Sequence, residues 1–316
     1  MNTIEAYEYE VLIQLEELPR ILKELERIDI WLSRDEQSDA IITGSGDSYA
    51  AALAVERLSS FRVRCVEPHE FATSKVSKKI LYIISISGET RASIEAARAA
   101  KSRGMNVIAL TANKSSRLAS IADTCYELRF KKSGMLTAGS VSFTVSLLYS
   151  MALLDRIHSD AIDVGMLFKD AGTNTIYLGD TNYIIGDVLT YPIAVYFSAK
   201  IGEVLGSRAF YCMLEQFSHM QIFSLHKDDN VIILTERGRA LADGLKANGA
   251  NVTLVESSRE VDHTNCKSEF MYWLNNLLYY TFIAQLTTLN DAKRIGLSEC
   301  SFINNRLLRL STSLIY

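Results

Sequence analysis

Residues 80–90 read ILYIISISGET, and the reading of this stretch decides the fold. Ile80, Leu81, Tyr82, Ile83 and Ile84 form a short apolar run rich in β-branched side chains, as expected of a strand buried on both faces of a parallel sheet. The run stops at Ser85-Ile86-Ser87-Gly88-Glu89-Thr90, which places three hydroxyls and a glycine in six residues. The following RASIEAAR is alanine-bearing and predicts a helix. A strand-to-helix turn of this kind turns its hydroxyls towards the positive end of a helix, where free backbone N–H groups attract an anion. No lysine lies in the loop, so neutral donors would hold the ligand. That suits a monophosphate on a small metabolite better than a triphosphate with magnesium. The plainer alternative is a serine-rich turn with an N-cap.

Working outward, the same strand–loop–helix grammar repeats. Residues 39–43 (DAIIT) predict a strand, followed by the loop Gly44-Ser45-Gly46-Asp47-Ser48-Tyr49 and a helix over 50–58. Strands are predicted at 62–66, 106–111 and 125–130, with a short helix around 118–122. Five strands alternating with helices imply a doubly wound parallel sheet. Residues 133–158 supply a small-residue loop, SGMLTAGS, and an apolar helix. A second set follows: strand 183–185, the loop Gly186-Asp187-Val188-Leu189-Thr190-Tyr191-Pro192, a helix from 193 towards 205, and strands 231–235 and 251–255. This is an internal repeat. The second counterpart of the hydroxyl loop reads Thr235-Glu236-Arg237-Gly238-Arg239. It has lost the serines and gained charges, so only the first lobe is expected to bind an anion.

The expected organisation is an N-terminal helical arm (1–35), in which Pro19 kinks or divides the helix, then a first α/β domain (36–160), a second (161–290) and an ordered tail (291–316). In the tail a helix is expected from Trp273 to about Leu289.

Composition narrows the function classes. The 316 residues are 48% hydrophobic and carry a net charge of −4, which points away from nucleic acid and anionic membrane surfaces. Cys65, Cys125, Cys212, Cys266 and Cys300 are scattered, with no C-x-x-C spacing. Neither a zinc site nor a disulfide framework is indicated, and a reducing cytoplasm is the expected home. The acidic N-terminus has no apolar h-region, and no run is long enough to span a bilayer.

Two other constellations could carry chemistry. The Gly44–Tyr49 loop half-matches a dinucleotide fingerprint, with Glu67 at the end of the next strand, but Tyr49 occupies the third glycine position, where helix and strand must pack closely. Lys200 and Glu203 are three apart on a predicted helix, and His219 follows in EQFSHM. Glutamate and histidine are the usual proton carriers, and Glu215 is a second candidate for either role. The alternative is a solvated helix face with a capping or core histidine. His69, His158, His226 and His263 show no ligand-like spacing and read as structural or surface residues. Trp31 and Trp273 read as packing residues.

GSGDSY, SISGET, NVIALTAN with RLASIADTCYEL, and TAGSVSFT stand in the order typical of sugar isomerase (SIS) domains. GDVLTYPIA, AKIGEVLGS and EQFSHM resemble the second SIS domain in the isomerase portion of glucosamine-6-phosphate synthase, without its glutaminase domain. The resemblance covers roughly residues 8–290. It implies two flavodoxin-like SIS domains in tandem. Gly46, Ser48, Ser85, Ile86, Ser87 and Thr90 would bind the phosphate, and the loop at Ala138, Gly139 and Ser140 would line the sugar. Glu203 would carry the proton between adjacent carbons, Lys200 would lie near the sugar, and His219 would assist ring opening, often from a neighbouring subunit. A homodimer is thus implied, with no metal or organic cofactor. The implied activity is isomerisation of a sugar phosphate, or of an amino-sugar phosphate with or without deamination; the alternative is a non-catalytic sugar-phosphate sensor. The chain departs from the synthase pattern at Val141, where a lysine is common, at Met220-Gln221 in place of glycine-proline, and in a tail that has only Arg306 and Arg309 near its end.

Overall fold

The structure, a computed structural model, describes residues 1–174, 176–258 and 267–316, so His263 and Cys266 lie outside the described residues. The chain divides into two compact units. One comprises Glu17–Lys131, Val141–Ser159 and Arg306–Tyr316; the other comprises Met1–Glu16, Lys132–Ser140 and Asp160–Asn305.

The unit that begins at Glu17 is built on five parallel strands: β1 (Ala40–Gly44), β2 (Arg64–Cys65), β3 (Ile80–Ile84), β4 (Asn106–Thr111) and β5 (Thr124–Glu127). Their order is β2-β1-β3-β4-β5. All of β1 and nearly all of β3 are buried, which is why both read as continuous apolar runs rather than alternating ones. Ile41, Leu81, Ile83, Val107 and Ala109 meet Ala96, Ala97 and Ala100 of helix Arg91–Ser102 in one core. The alanines let that helix sit close to the sheet. On helix Asp47–Leu58 the same device recurs, with Ala50, Ala51, Ala52 and Ala54 buried, and the apolar helix Val141–Met151 packs on it.

The other unit holds four parallel strands, β6 (Thr181–Gly186), β7 (Arg208–Met213), β8 (Asn230–Ile233) and β9 (Asn251–Leu254), in the order β7-β6-β8-β9. Tyr183, Ile185, Val231, Ile233, Phe217 and Ala242 form its sheet core. Helix Glu269–Arg294, 26 residues long and buried along most of its length, packs on helices Val164–Gly172 and Tyr191–Lys200. Both sheets are doubly wound and parallel, as the alternation of strand and helix patterns predicts. No helix among the described residues is long and apolar enough to cross a membrane.

Several local expectations need correction. The break in the N-terminal helices falls at Ile13, between Thr3–Leu12 and Gln14–Leu25, while Pro19 sits inside the second helix. There, at the sixth of twelve positions, the proline removes one backbone bond but does not end the helix. The sequence assigns no element to residues 208–213, yet β7 lies there at a sheet edge. Edge exposure of Phe210 and Tyr211 blurs its alternation. β2 shrinks to two residues. The helix expected over 273–289 runs further at both ends, capped by Ser268, whose hydroxyl accepts the Met271 N–H at 3.2 Å. The tail closes with an exposed helix, Leu308–Ile315, which touches helix Arg91–Ser102 where Arg91 donates to the Ser313 carbonyl at 3.5 Å.

Candidate functional site

In the five-stranded sheet, the chain leaves β1 towards β2 and leaves β3 towards β4, on opposite sides. Such a switch point opens a crevice at the carboxyl ends of the two strands. Gly44 pairs in register with Ile84, so the loops that begin at Ser45 and Ser85 start side by side. Gly46, Ser48, Ser85, Ile86, Ser87 and Thr90 are therefore brought together at this one edge. Gly46 caps helix Asp47–Leu58 with φ +59°, a conformation glycine adopts without strain.

The Ser85–Thr90 hydroxyls are organised among themselves. The Ser85 hydroxyl accepts the Gly88 N–H at 3.2 Å and lies 3.4 Å from the Thr90 hydroxyl, while Ser87 accepts the Glu89 N–H at 3.2 Å. Gly88 has φ +65°, and a Cβ there would stand 2.0 Å from the Ser116 hydroxyl; only glycine fits. Thr90 occupies the N-cap position of helix Arg91–Ser102 but makes no side-chain capping bond. The plainer N-cap account of this loop therefore does not hold, and the first-turn N–H groups remain open to an anion. Ser93, in that first turn, has a buried hydroxyl with no partner among the described residues, a donor that no sequence signal marks. The loop's carboxylate is turned away. Glu89 accepts the Arg117 backbone N–H at 2.9 Å and its side-chain Nε at 2.5 Å, and these bonds hold Glu89 below the usual carboxylate range. Glu67 does not serve a ribose; its carboxylate accepts the Glu70 N–H at 2.8 Å and caps helix Pro68–Thr73.

The corresponding switch point of the four-stranded sheet, between β6 and β8, is occupied from within. Asp187 Oδ1 accepts the backbone N–H groups of Leu189 and Thr190 at 3.1 and 3.2 Å, and its Oδ2 accepts the Thr235 hydroxyl at 2.8 Å. A carboxylate of the chain itself takes the donors that a ligand anion would need.

In that same unit Lys200 and Glu203 form a direct ion pair. Lys200 ends helix Tyr191–Lys200 and is wholly buried. Glu203 lies on the π-helical turn Ile201–Leu205, and its side chain is 40% exposed. A solvated helix face is thereby ruled out for Lys200: a buried ammonium needs a partner, and the carboxylate is it. Its nitrogen also stands 5.2 Å from the ring centroid of Tyr196, one turn earlier. The Tyr196 hydroxyl donates to the Gly139 carbonyl at 2.8 Å, and Gln285 Nε2 donates to both Tyr196 Oη (3.1 Å) and the Ser140 carbonyl (3.3 Å). Gln14 donates in turn to Gln285 at 2.6 Å. This buried chain ties the Ala138–Gly139–Ser140 loop to the helix that carries Lys200. Tyr196, Gln14, Gln285 and Tyr7 escape the sequence reading because their partners are remote in the chain; only the four-residue spacing of Tyr196 and Lys200 could have flagged one of them.

His219 stands apart from this cluster. It ends the short helix Leu214–His219, is 68% exposed at its side chain, and lies 2.9 Å from Glu215. Among the described residues no hydrogen bond joins it to Lys200 or Glu203.

The SIS domain family matches residues 35–156, the stretch that carries the hydroxyl loop. A search of curated protein sequences finds no match. Among solved structures, the chain is similar to glucosamine-6-phosphate deaminase from Thermotoga maritima, with TM-score 0.70 and 17% identity over 92% of this chain and 95% of that one. It is also similar to the C-terminal domain of glucosamine-fructose-6-phosphate aminotransferase from Francisella tularensis, with TM-score 0.65 and 16% identity over 90% and 96% of the two chains. A third likeness is tagatose-6-phosphate ketose/aldose isomerase from Escherichia coli, with TM-score 0.66 and 16% identity over 93% and 90%. At these identities the likeness is one of fold.

Proposed function

We propose, for a chain whose residues 35–156 form a SIS domain, that it binds a sugar phosphate and interconverts its aldose and ketose forms. The observation that carries the reading is the Ser85–Thr90 loop, at a switch point and over an uncapped helix N-terminus. Ser48, Ser85, Ser87, Thr90 and the Ile86 backbone hold the phosphate, with Gly46 allowing close approach. The three similar structures named above carry phosphorylated sugars in their names, which supports the same ligand class and leaves the particular sugar open; an amino-sugar phosphate is one candidate.

The chemistry falls to Glu203. Its carboxylate takes the proton from the carbon beside the carbonyl, the C–H electron pair becomes the C=C bond of an enediol or enolamine, and the carbonyl π pair moves onto its oxygen, which takes up a proton. The neighbouring hydroxyl (or amine) then gives up its proton as the new carbonyl (or imine) forms, and the carboxylate returns its proton to the former carbonyl carbon. Lys200 holds the carboxylate in place through their ion pair. His219 assists ring opening. Its exposed position suits delivery into a second copy of the chain, and a homodimer belongs to this reading. Ala138 and Ser140 line the sugar. The second reading is a sugar-phosphate sensor, favoured by His219 standing on the protein surface at 2.9 Å from Glu215.

The test is a turnover screen with fructose 6-phosphate, glucosamine 6-phosphate, glucose 6-phosphate and mannose 6-phosphate, together with solvent-deuterium exchange at C2. Turnover or exchange supports the enzyme. Tight binding with neither supports the sensor, and failure to bind any of the four refutes both.

A further inference from the structure

Tyr7 lies on helix Thr3–Leu12, almost 200 residues from Glu203 in the chain, yet it belongs to the same packed cluster as Val204, Ala138 and Cys300. Its side chain is wholly buried, and among the described residues its hydroxyl has no hydrogen-bond partner. The groups whose charges act on that hydroxyl are Tyr196, Lys200, Cys300 and Glu203. Val204 follows Glu203 directly and Ala138 opens the small-residue loop, so Tyr7 packs beside the segments that carry both. The donors around it are already engaged: Tyr196 with Gly139, Gln285 with Tyr196 and Ser140, and Lys200 with Glu203.

A buried hydroxyl without a partner costs stability, and phenylalanine would fill the same space without that cost. The hydroxyl needs a partner that arrives later. We infer that Tyr7 contacts the ligand in the Glu203 site, donating its hydroxyl hydrogen to a sugar oxygen on the carbons that Glu203 serves. Burial keeps the phenol protonated well past its ordinary range, so it acts as a neutral donor. Such a donor favours negative charge developing on an enediol oxygen. Glu203 reaches solvent while Tyr7 and Lys200 do not, so a sugar entering at the carboxylate meets the phenol and the ammonium at the closed end. This assignment rests on the sugar-phosphate reading above.

The test is Tyr7→Phe, which removes one oxygen and keeps the ring. Calorimetry is run on wild type and variant with fructose 6-phosphate, glucosamine 6-phosphate and inorganic phosphate, alongside thermal unfolding. The expected result is sugar-phosphate affinity lower by roughly 2- to 13-fold, the factor one neutral hydrogen bond supplies, with inorganic phosphate unaffected and Tm equal or higher. Unchanged sugar-phosphate affinity in the variant overturns the assignment. So does a fall in Tm, which would show that the hydroxyl is bonded within the core. Failure of the underlying reading shows elsewhere, as a wild type that binds inorganic phosphate but no sugar phosphate, and it removes the Tyr7 role as well.

Discussion

The Asp187 carboxylate accepts the Thr235 hydroxyl at 2.8 Å across the switch point of the second sheet, where the first sheet presents Ser85 and Thr90. The same carboxylate takes two backbone N–H groups at the start of helix Tyr191–Lys200. The second sheet thus binds its own anion. Wild-type protein is expected to take up one sugar phosphate per chain. Asp187→Ala should free Thr235 and the two N–H groups and add a weak second phosphate site, at a cost of about 1–3 kcal/mol for the donors left unpaired. Titration calorimetry with urea unfolding checks both. Two equivalent sites in the wild type would contradict this account.

The hydroxyl loop makes a separate prediction. Ser85→Ala/Ser87→Ala/Thr90→Ala should lose phosphate and sugar-phosphate binding while folding normally, because these side chains bond within the loop and leave the sheet core untouched. Gly88→Ala is expected to do more, since φ +65° and a Ser116 hydroxyl 2.0 Å from the new Cβ force the loop to move. A stability loss of more than about 1 kcal/mol is expected. A Gly88→Ala protein as stable as wild type would show that the loop relaxes freely.

Glu203→Gln keeps shape and removes the base. It should bind sugar phosphate nearly as wild type does and lose at least ~100-fold in turnover. Near-normal turnover would transfer the role to Glu215 or His219. The same variant leaves the Lys200 ammonium buried without its counter-charge, which lowers stability. Water reaches the half-exposed Glu203 side chain, so the loss should fall below the roughly 3–5 kcal/mol typical of a fully buried pair. Lys200→Met, apolar and of similar length, should be better tolerated in unfolding experiments than Glu203→Gln. The reverse order would show that the pair is not what keeps Lys200 inside.

Alkaline pH should unfold the protein through its buried thiols and phenols. Burial pushes the Cys212 thiol up to about 11, and it raises Cys65, Tyr82 and Tyr280 as well. Tyr149 is raised by burial and by the Glu24 carboxylate beside it. The folded chain holds these protons longer than the unfolded one. Their stabilisation is therefore complete below the ordinary thiol value of about 8.5 and declines as pH rises through the folded values. The urea midpoint should be flat up to about pH 8.5 and then fall. Burial raises Cys125 too, so Cys65→Ala/Cys125→Ala/Cys212→Ala should move the onset towards about pH 10, where tyrosines titrate. A midpoint constant across this range would refute the burial argument.

Much of the fold is legible in the chain because its signals are local. An apolar β-branched run such as Ile80–Ile84 followed by a small-residue turn and an alanine-bearing helix specifies strand, loop and helix within twenty residues, and its recurrence specifies two parallel sheets. The hydroxyl loop is legible for the same reason: Ser85, Ser87, Gly88 and Thr90 are neighbours in sequence before they are neighbours in space. Strand β7 is not, because Phe210 and Tyr211 lie exposed at a sheet edge and no periodic pattern marks them.

Residues 80–90 by themselves determined a buried strand that ends in an anion-seeking turn, and the repeat determined that there are two such sheets. The loss of serines at residues 235–239 already marked the first turn as the open one, but tertiary structure alone decided what fills the second. Asp187 and Thr235 are 48 residues apart, and only the adjacency of β6 and β8 lets one carboxylate fill the second crevice. It also decided that Lys200 is inside, since a lysine pattern is the same on a wet or a dry face, and burial depends on helices Glu269–Arg294 and Tyr191–Lys200 packing together. The packing of Tyr7 in one cluster with Val204 and Ala138 has the same origin: a contact between distant segments carries no periodicity, and it exists only once the fold has closed the intervening chain.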